Sequence, residues 1–459
     1  MNLSGTLKPI PAEQEQLDPR QRLFSIIALM TAVILATLDT TISNTALPDI
    51  AADLNTSGGR VIWVANAYQI AMISALLPLS SLGESASYRT VYITGIVLFT
   101  LASLICGIAD SLGLLIAGRV LQGVGGAAIM SVNTAFIRHL YPPEKLGKGL
   151  SLNALFVAIA FTLGPPITSA VLSLTTWHWL FLLNIPVGLF ALLLSVVYLP
   201  DAKGLGMRFE KKAALLCAAG LGLLSFSLCF LEGGGNKLLV IVTAAACILC
   251  LCSLIRLQSA HPAPILATDL LKIPVIGLSS VTSICAFATQ ALAFVSLPFF
   301  LRSALGISVI DIGLLLTPWP IVVALMAVVV SPLSDRFSSG VLCSIGLMLL
   351  SVGMFSLAML SPDSSHQTVA LRLILCGAGF GLFQAPNLRA IMGNAPRQRS
   401  GGASGLVGLS RLLGQTTGAA MVAQSFHLWF EQGPRYALVI GGCFAVAGCI
   451  FSGLRLRWQ

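Results

Sequence analysis

The stretch GVGGAAIMSVN, Gly123 to Asn133, returns later in the chain as GAGFGLFQAPN, Gly377 to Asn387. In each copy two glycines stand two apart, and an asparagine follows ten residues after the first. A second echo pairs SSLGESASYR (Ser80–Arg89) with SPLSDRFSSG (Ser331–Gly340), again about 250 residues on. Weak internal symmetry of this kind is typical of membrane proteins built from two repeated helical bundles, with a binding site between them. Small residues such as these glycines let helices approach closely in lipid.

Composition places the echoes in a membrane. Hydrophobic residues make up 56% of the 459 and charged residues only 9%, where a soluble domain carries roughly 25%. Apolar runs such as Val91–Ile108, Leu180–Leu199 and Val341–Leu360 match a hydrocarbon core of roughly 30 Å. The first 20 residues are polar and lack the cationic start and apolar middle of a signal peptide, so the first apolar helix is expected to remain as a span. Hydropathy predicts about fourteen spans, near 23–47, 61–81, 91–109, 112–135, 149–173, 178–199, 213–231, 237–256, 274–301, 310–331, 340–360, 367–388, 403–426 and 436–454. The expected fold is therefore all-α: a six-helix bundle over 23–199, an inserted helix pair over 200–272, and a second six-helix bundle over 273–454. Tails at 1–22 and 455–459 are expected in the cytoplasm. Most Lys and Arg residues fall on the side of the N-terminus, and only Arg60, Lys237, Arg302 and Arg435 on the other, which predicts the N-terminus inside. The net charge of +9 is thus mainly a topology signal, spread over many loops, and no nucleic-acid partner is expected. The eleven cysteines lie in or beside apolar runs, and CILCLC lacks a second ligand pair, so no metal site is expected.

One stretch, VILATLDTTISNTALP (Val33–Pro48), sets Asp39 deep in the first span. A carboxylate facing lipid there would cost about 3 kcal/mol. One resolution turns Asp39 toward an aqueous cavity between the bundles, where partial desolvation favours proton uptake and release near neutral pH. The other makes it structural, capping a break near Pro48 or bonding Thr40, Thr41 or Asn44. Arg119 is a second charge at membrane depth; it either serves a carboxylate of the first helix or clamps backbone carbonyls of a neighbour. A direct Asp39–Arg119 pair would favour the charged carboxylate. A pair made in one conformation and broken in another would reconcile the two roles. Polar residues near mid-span, Asn44, Tyr68, Gln122, Gln290, Gln384, Asn387 and Arg411, are expected to line a substrate cavity.

Five motifs in order resemble the fourteen-helix drug:proton antiporters of the major facilitator superfamily: LDTTISNTALP, GRVLQGVGGAA, LGPPITS, WHWLFLLNIPVG and SRLLGQTTGAA. The resemblance implies two bundles that rock about a central site, proton coupling through Asp39 and Arg119, and a monomer that exports small molecules. It implies the proton gradient as energy source and no cofactor. The loop between the second and third helices departs from the family's pattern, keeping a carboxylate at Glu84 and a cation at Arg89; the resemblance allows Glu84 to act as a latch on a neighbouring helix end. The second copy keeps Asp335 and Arg336. In the fifth helix Gly164, Pro165 and Pro166 are expected to kink the chain.

These patterns disfavour other classes. There is no HExxH set and no GxxxxGK[ST] loop, which argues against a membrane-embedded metalloenzyme and an ATP-driven pump. Within transport, export of an anionic or zwitterionic metabolite such as a siderophore stands beside multidrug export, and coupled uptake is weaker. The expected location is the bacterial cytoplasmic membrane.

Overall fold

The computed structural model describes residues 18–458, apart from 57, 62, 143–144, 202–208, 233–236, 260–263, 306–314, 362–363 and 430–431. Among the described residues, fourteen helices are long enough to matter for a bilayer. They are α1 (Pro19–Asp53), α2 (Trp63–Ser85), α3 (Tyr88–Gly107), α4 (Leu112–Leu140), α5 (Leu146–Leu174), α6 (Asn184–Tyr198), α7 (Lys211–Glu232) and α8 (Lys237–Leu257), then α9 (Pro274–Leu305), α10 (Pro318–Arg336), α11 (Ser339–Ala358), α12 (His366–Asn394), α13 (Ser400–Trp429) and α14 (Gly433–Leu454). Short helices at His178–Leu182 and Thr268–Leu271 lead into α6 and α9.

Serine side chains start four of these helices by accepting an otherwise orphaned backbone N–H. Ser87 and Ser338 cap α3 and α11, and Ser111 and Ser365 cap α4 and α12. The caps thus repeat in equivalent helices of the two halves. Among the described residues, eleven helices are long and apolar enough to cross a membrane; α2, α10 and α13, as described, fall short of that standard. Each of those three packs across the seam between the halves, where a helix is shielded from lipid and tolerates polar residues.

The glycine echo makes the tightest joints. A Cβ on Gly125 of α4 would stand 2.6 Å from the Phe99 nitrogen of α3, and one on Gly379 of α12 would stand 2.5 Å from the Leu350 nitrogen of α11. In both halves the partner helix also offers a glycine at the crossing, Gly95 and Gly346. Gly123 and Gly377 face the other way, against the Tyr68 carbonyl of α2 and the Trp319 carbonyl of α10. Each repeat is therefore wedged around its fourth helix, and no side chain fits in the wedge.

The halves meet along two seams. On one, α2 and α4 pack against α13; on the other, α5 packs against α10 and α12. The inserted helix α7 packs against α8, against α2 of the first half and against α13 of the second.

Three of the segments singled out in the sequence take a definite form. α1 does not break near Pro48 but continues to Asp53. α5 stays one helix from Leu146 to Leu174 across Gly164 and Pro166, with Gly164 pressed against Thr41 of α1. In the C-terminal segment, Arg455–Trp458 forms a turn of 3-10 helix and Arg455 is fully buried.

Candidate functional site

The helix starts and ends define two ends of the molecule. α1, α5, α9 and α13 begin at the end that also carries Arg89, Arg138, Lys145 and Arg399, called here the basic end. A cavity of about 450 Å³ lies between the halves, walled by α1, α2, α4, α5, α9, α10 and α13. Its lining includes Leu316, Thr317 and Pro320 beside the start of α10, so it extends toward the end opposite the basic one. Two smaller chambers, about 70 and about 30 Å³, adjoin it at Arg411.

Three residues predicted for the cavity line it: Tyr68, Gln290 and Arg411. Gln384 and Asn387 line the smaller chambers instead. Gln122 is buried elsewhere, inside the first bundle, in the network described next. The Asn44, Pro165 and Asp335 side chains lie outside the described residues.

Asp39 does not face the cavity. Its neighbours Thr37, Thr40 and Thr41 do, while Asp39 is only 1% exposed and turned into the first bundle. There one carboxylate oxygen accepts Arg119 Nη1 at 2.5 Å. The other accepts the side-chain amides of Gln122 at 2.8 Å and Asn184 at 2.9 Å. Ser103 completes the network, accepting from Gln122 at 2.9 Å. The physical reason for the correction is pairing: a carboxylate can turn into the bundle where its charge is matched and its lone pairs are filled, and Arg119 with the two amides does both. Arg119 makes both of the contacts weighed for it, the first-helix carboxylate and a neighbour's backbone, because its Nε also donates to the Val64 carbonyl at 3.1 Å. Tyr68 stands between the pair and the cavity, its ring centroid 4.2 Å from the Arg119 guanidinium carbon. Asn184 and Ser103 were not singled out by sequence, although Asn184 lies in the quoted WHWLFLLNIPVG.

The basic end is closed by contacts between the halves. Glu84, in the last turn of α2, accepts the Gly402 N–H at 2.7 Å in the first turn of α13 and pairs with Arg399. A carboxylate at a helix N-terminus is favoured by the orphaned N–H groups there. Arg399 also grips Asp269 with two hydrogen bonds, 2.8 and 3.0 Å, and donates to the Pro264 carbonyl at 2.9 Å. Tyr88 accepts the Gly401 N–H at 3.2 Å, Ser80 donates to the Gly401 carbonyl, and the Thr134 and Ser404 hydroxyls bond each other. Arg138 donates to the Ala395 carbonyl at 2.8 Å. Arg89 takes no part in this closure; it donates to the Val196 carbonyl at the end of α6, at 2.6 Å. Arg336 is exposed. In the second half, Arg455 donates to Ser279 at 2.6 Å and to Asn387 at 2.7 Å, which gives Asn387 a structural task besides lining a chamber.

Comparison with known proteins agrees with this architecture. The chain is 43% identical over 438 residues to the uncharacterized transporter YebQ of Escherichia coli (strain K12), covering 95% of this chain and 96% of that one. It is 26% identical over 413 residues to the riboflavin transporter RibZ of Clostridioides difficile (strain 630), 89% of each chain. It is 27% identical over 426 residues to the multidrug resistance protein Stp of Mycobacterium tuberculosis (strain CDC 1551 / Oshkosh), 90% of this chain and 77% of that one. Residues 29–419 match the family model described as Major Facilitator Superfamily. With two six-helix bundles about a central cavity and a match over most of its length, the chain belongs to the major facilitator superfamily and is a membrane transporter.

Proposed function

We propose that this transporter is a proton-coupled exporter of small amphipathic molecules, working by alternating access in a bacterial cytoplasmic membrane. The observation that carries this reading is the placement of the buried Asp39–Arg119 pair behind Tyr68, next to a cavity of about 450 Å³. The distribution of basic residues supports a cytoplasmic position for the closed end and for both termini, and on that reading this conformation faces outward.

A proton reaching Asp39 turns the carboxylate into a neutral acid and releases Arg119 from its charge partner. The released guanidinium is then free to follow α4 as the halves rock. When the cavity opens inward, Asp39 gives up its proton and the pair re-forms with substrate bound. The Gln122 and Asn184 amides serve the carboxylate, since both donate to it. The drug-resistance name of one relative supports export over uptake. The chain acts as a monomer with protons, substrate and lipid as its only partners, and the proton gradient replaces any cofactor.

The test uses everted vesicles with an imposed pH gradient and a panel of fluorescent amphiphiles of either charge. Gradient-driven accumulation is expected in the intact protein and is lost in Asp39→Asn. Accumulation that ignores the gradient, or survives the substitution unchanged, sinks the proton-coupling assignment.

A further inference from the structure

We infer that the central cavity recognises planar aromatic organic anions, with Arg411 as the residue that takes the anionic group. This rests on the transporter reading and names the substrate class of its site.

Arg411 lines the main cavity and both smaller chambers, so it stands where the three meet. No hydrogen bond or ion pair joins it to another protein group among the described residues, and its Nε is a buried donor with no acceptor. The other deep cations are served: Arg119 by Asp39, Arg399 by Glu84 and Asp269, and Arg455 by Asn387 and Ser279. Arg411 alone of these four faces open volume. Among the described residues lining the three spaces there is no Asp or Glu, because Asp39 is turned away and already bonded. A second orphan stands nearby: Trp319 Nε1, in the wall of the smallest chamber, is buried without an acceptor.

Guanidinium and indole nitrogens are donors only. Of the buried unpartnered groups in these walls, Asn133 Oδ1 is an acceptor, Thr37 Oγ1 serves either way, and Arg411 Nε and Trp319 Nε1 are donors; Arg411 alone is charged, and a carboxylate supplies it with acceptors and a countercharge at once. A cationic ligand would meet an unpaired positive charge at the junction. The rest of the wall fixes the ligand's shape. Phe161, Phe287, Phe294 and Trp319 line these spaces, and such faces favour a flat aromatic body. Gln290 and Gln384 flank Arg411 and offer both donors and acceptors for substituents on the ring.

The experiment uses the purified full-length chain and two probes that share a pyrene body and carry opposite charges, pyrene-1-carboxylate and pyrene-1-methylammonium, titrated by fluorescence anisotropy without any gradient. The carboxylate is expected to bind at least about tenfold more tightly. Arg411→Gln is expected to weaken it on the order of 10- to 100-fold, the loss of one charge-assisted contact, and to erase the preference. Arg411→Lys, which keeps the charge, should retain the preference, and elution as a single species shows that each variant is folded. Equal or tighter binding of the ammonium, or an Arg411→Gln variant that binds the carboxylate like the intact protein, overturns the inference. The same probes in everted vesicles separate it from the export reading. Charge-selective binding without gradient-driven movement defeats export and supports the anion site. Gradient-driven movement of the ammonium alone does the reverse.

Discussion

Replacing Glu84 by glutamine removes one charge from the closure at the basic end and little else. Gln keeps an oxygen for the Gly402 N–H, which Glu84 now receives at 2.7 Å. What goes is the ion pair with Arg399, whose partners are both nearly buried. Breaking a buried pair by removing one charge costs about 3–5 kcal/mol. Here Arg399 keeps Asp269 at 2.8 Å, and opening the end lets water reach the cation. A net bias of about 1.5–2.5 kcal/mol against the closed end remains after those two offsets. That is a shift of roughly 10- to 70-fold in the ratio of open to closed.

Ser404 reports it, because its hydroxyl bonds Thr134 directly behind the closure and it is 1% exposed. In a background where the exposed Cys252 and Cys443 are serine, Ser404→Cys is labelled by a membrane-impermeant maleimide added to everted vesicles. The labelling rate should rise by about that ratio in Glu84→Gln. A rate unchanged within twofold would refute the reasoning: the pair would then be as well satisfied by water as by the closed end.

Three further outcomes follow from the same geometry. Gly125→Val and Gly379→Val should each prevent accumulation of folded protein in the membrane, because the added carbons collide with backbone; Gly113→Ala, with nothing within 4 Å, should leave expression and thermal unfolding unchanged. Tyr68→Ala removes the ring that screens Arg119 from the cavity and should raise the substrate-free decay of a pH gradient in proteoliposomes severalfold, whereas Tyr68→Phe should not. If the cargo is a monovalent anion exchanged for one proton, each cycle moves two charges, worth about 4.6 kcal/mol per 100 mV; a potassium diffusion potential set with valinomycin should then drive transport with no pH gradient at all.

Much of the fold was legible because membranes impose a simple rule on length and polarity. The glycine echo located the two wedges correctly, since only small residues fit where Gly125 meets Gly95 and Gly379 meets Gly346. The site was harder to read. Sequence said that Asp39 could not face lipid, but not which other way it turned. Each residue advances about 100° around a helix, so Thr40 and Thr41 can face the cavity while Asp39 between them and Leu38 faces Arg119. The rotation of α1 is set by its packing against α5 and α6, contacts far apart in the chain. Arg399 and Asp269 were invisible for the same reason: 130 positions separate the two, and each looks like an ordinary loop charge. Arg455 read as a tail cation because nothing local shows that Asn387 and Ser279 await it.

The position of α7 makes the two seams unequal. It lies across the seam of α2 with α13 and shields that side from lipid tails. Among the described residues, neither α7 nor α8 packs on the opposite seam, where α5 meets α10. An amphipathic molecule dissolved in the bilayer therefore meets two unlike flanks: the inserted pair on one side, and on the other the bare seam where α5 packs directly against α10.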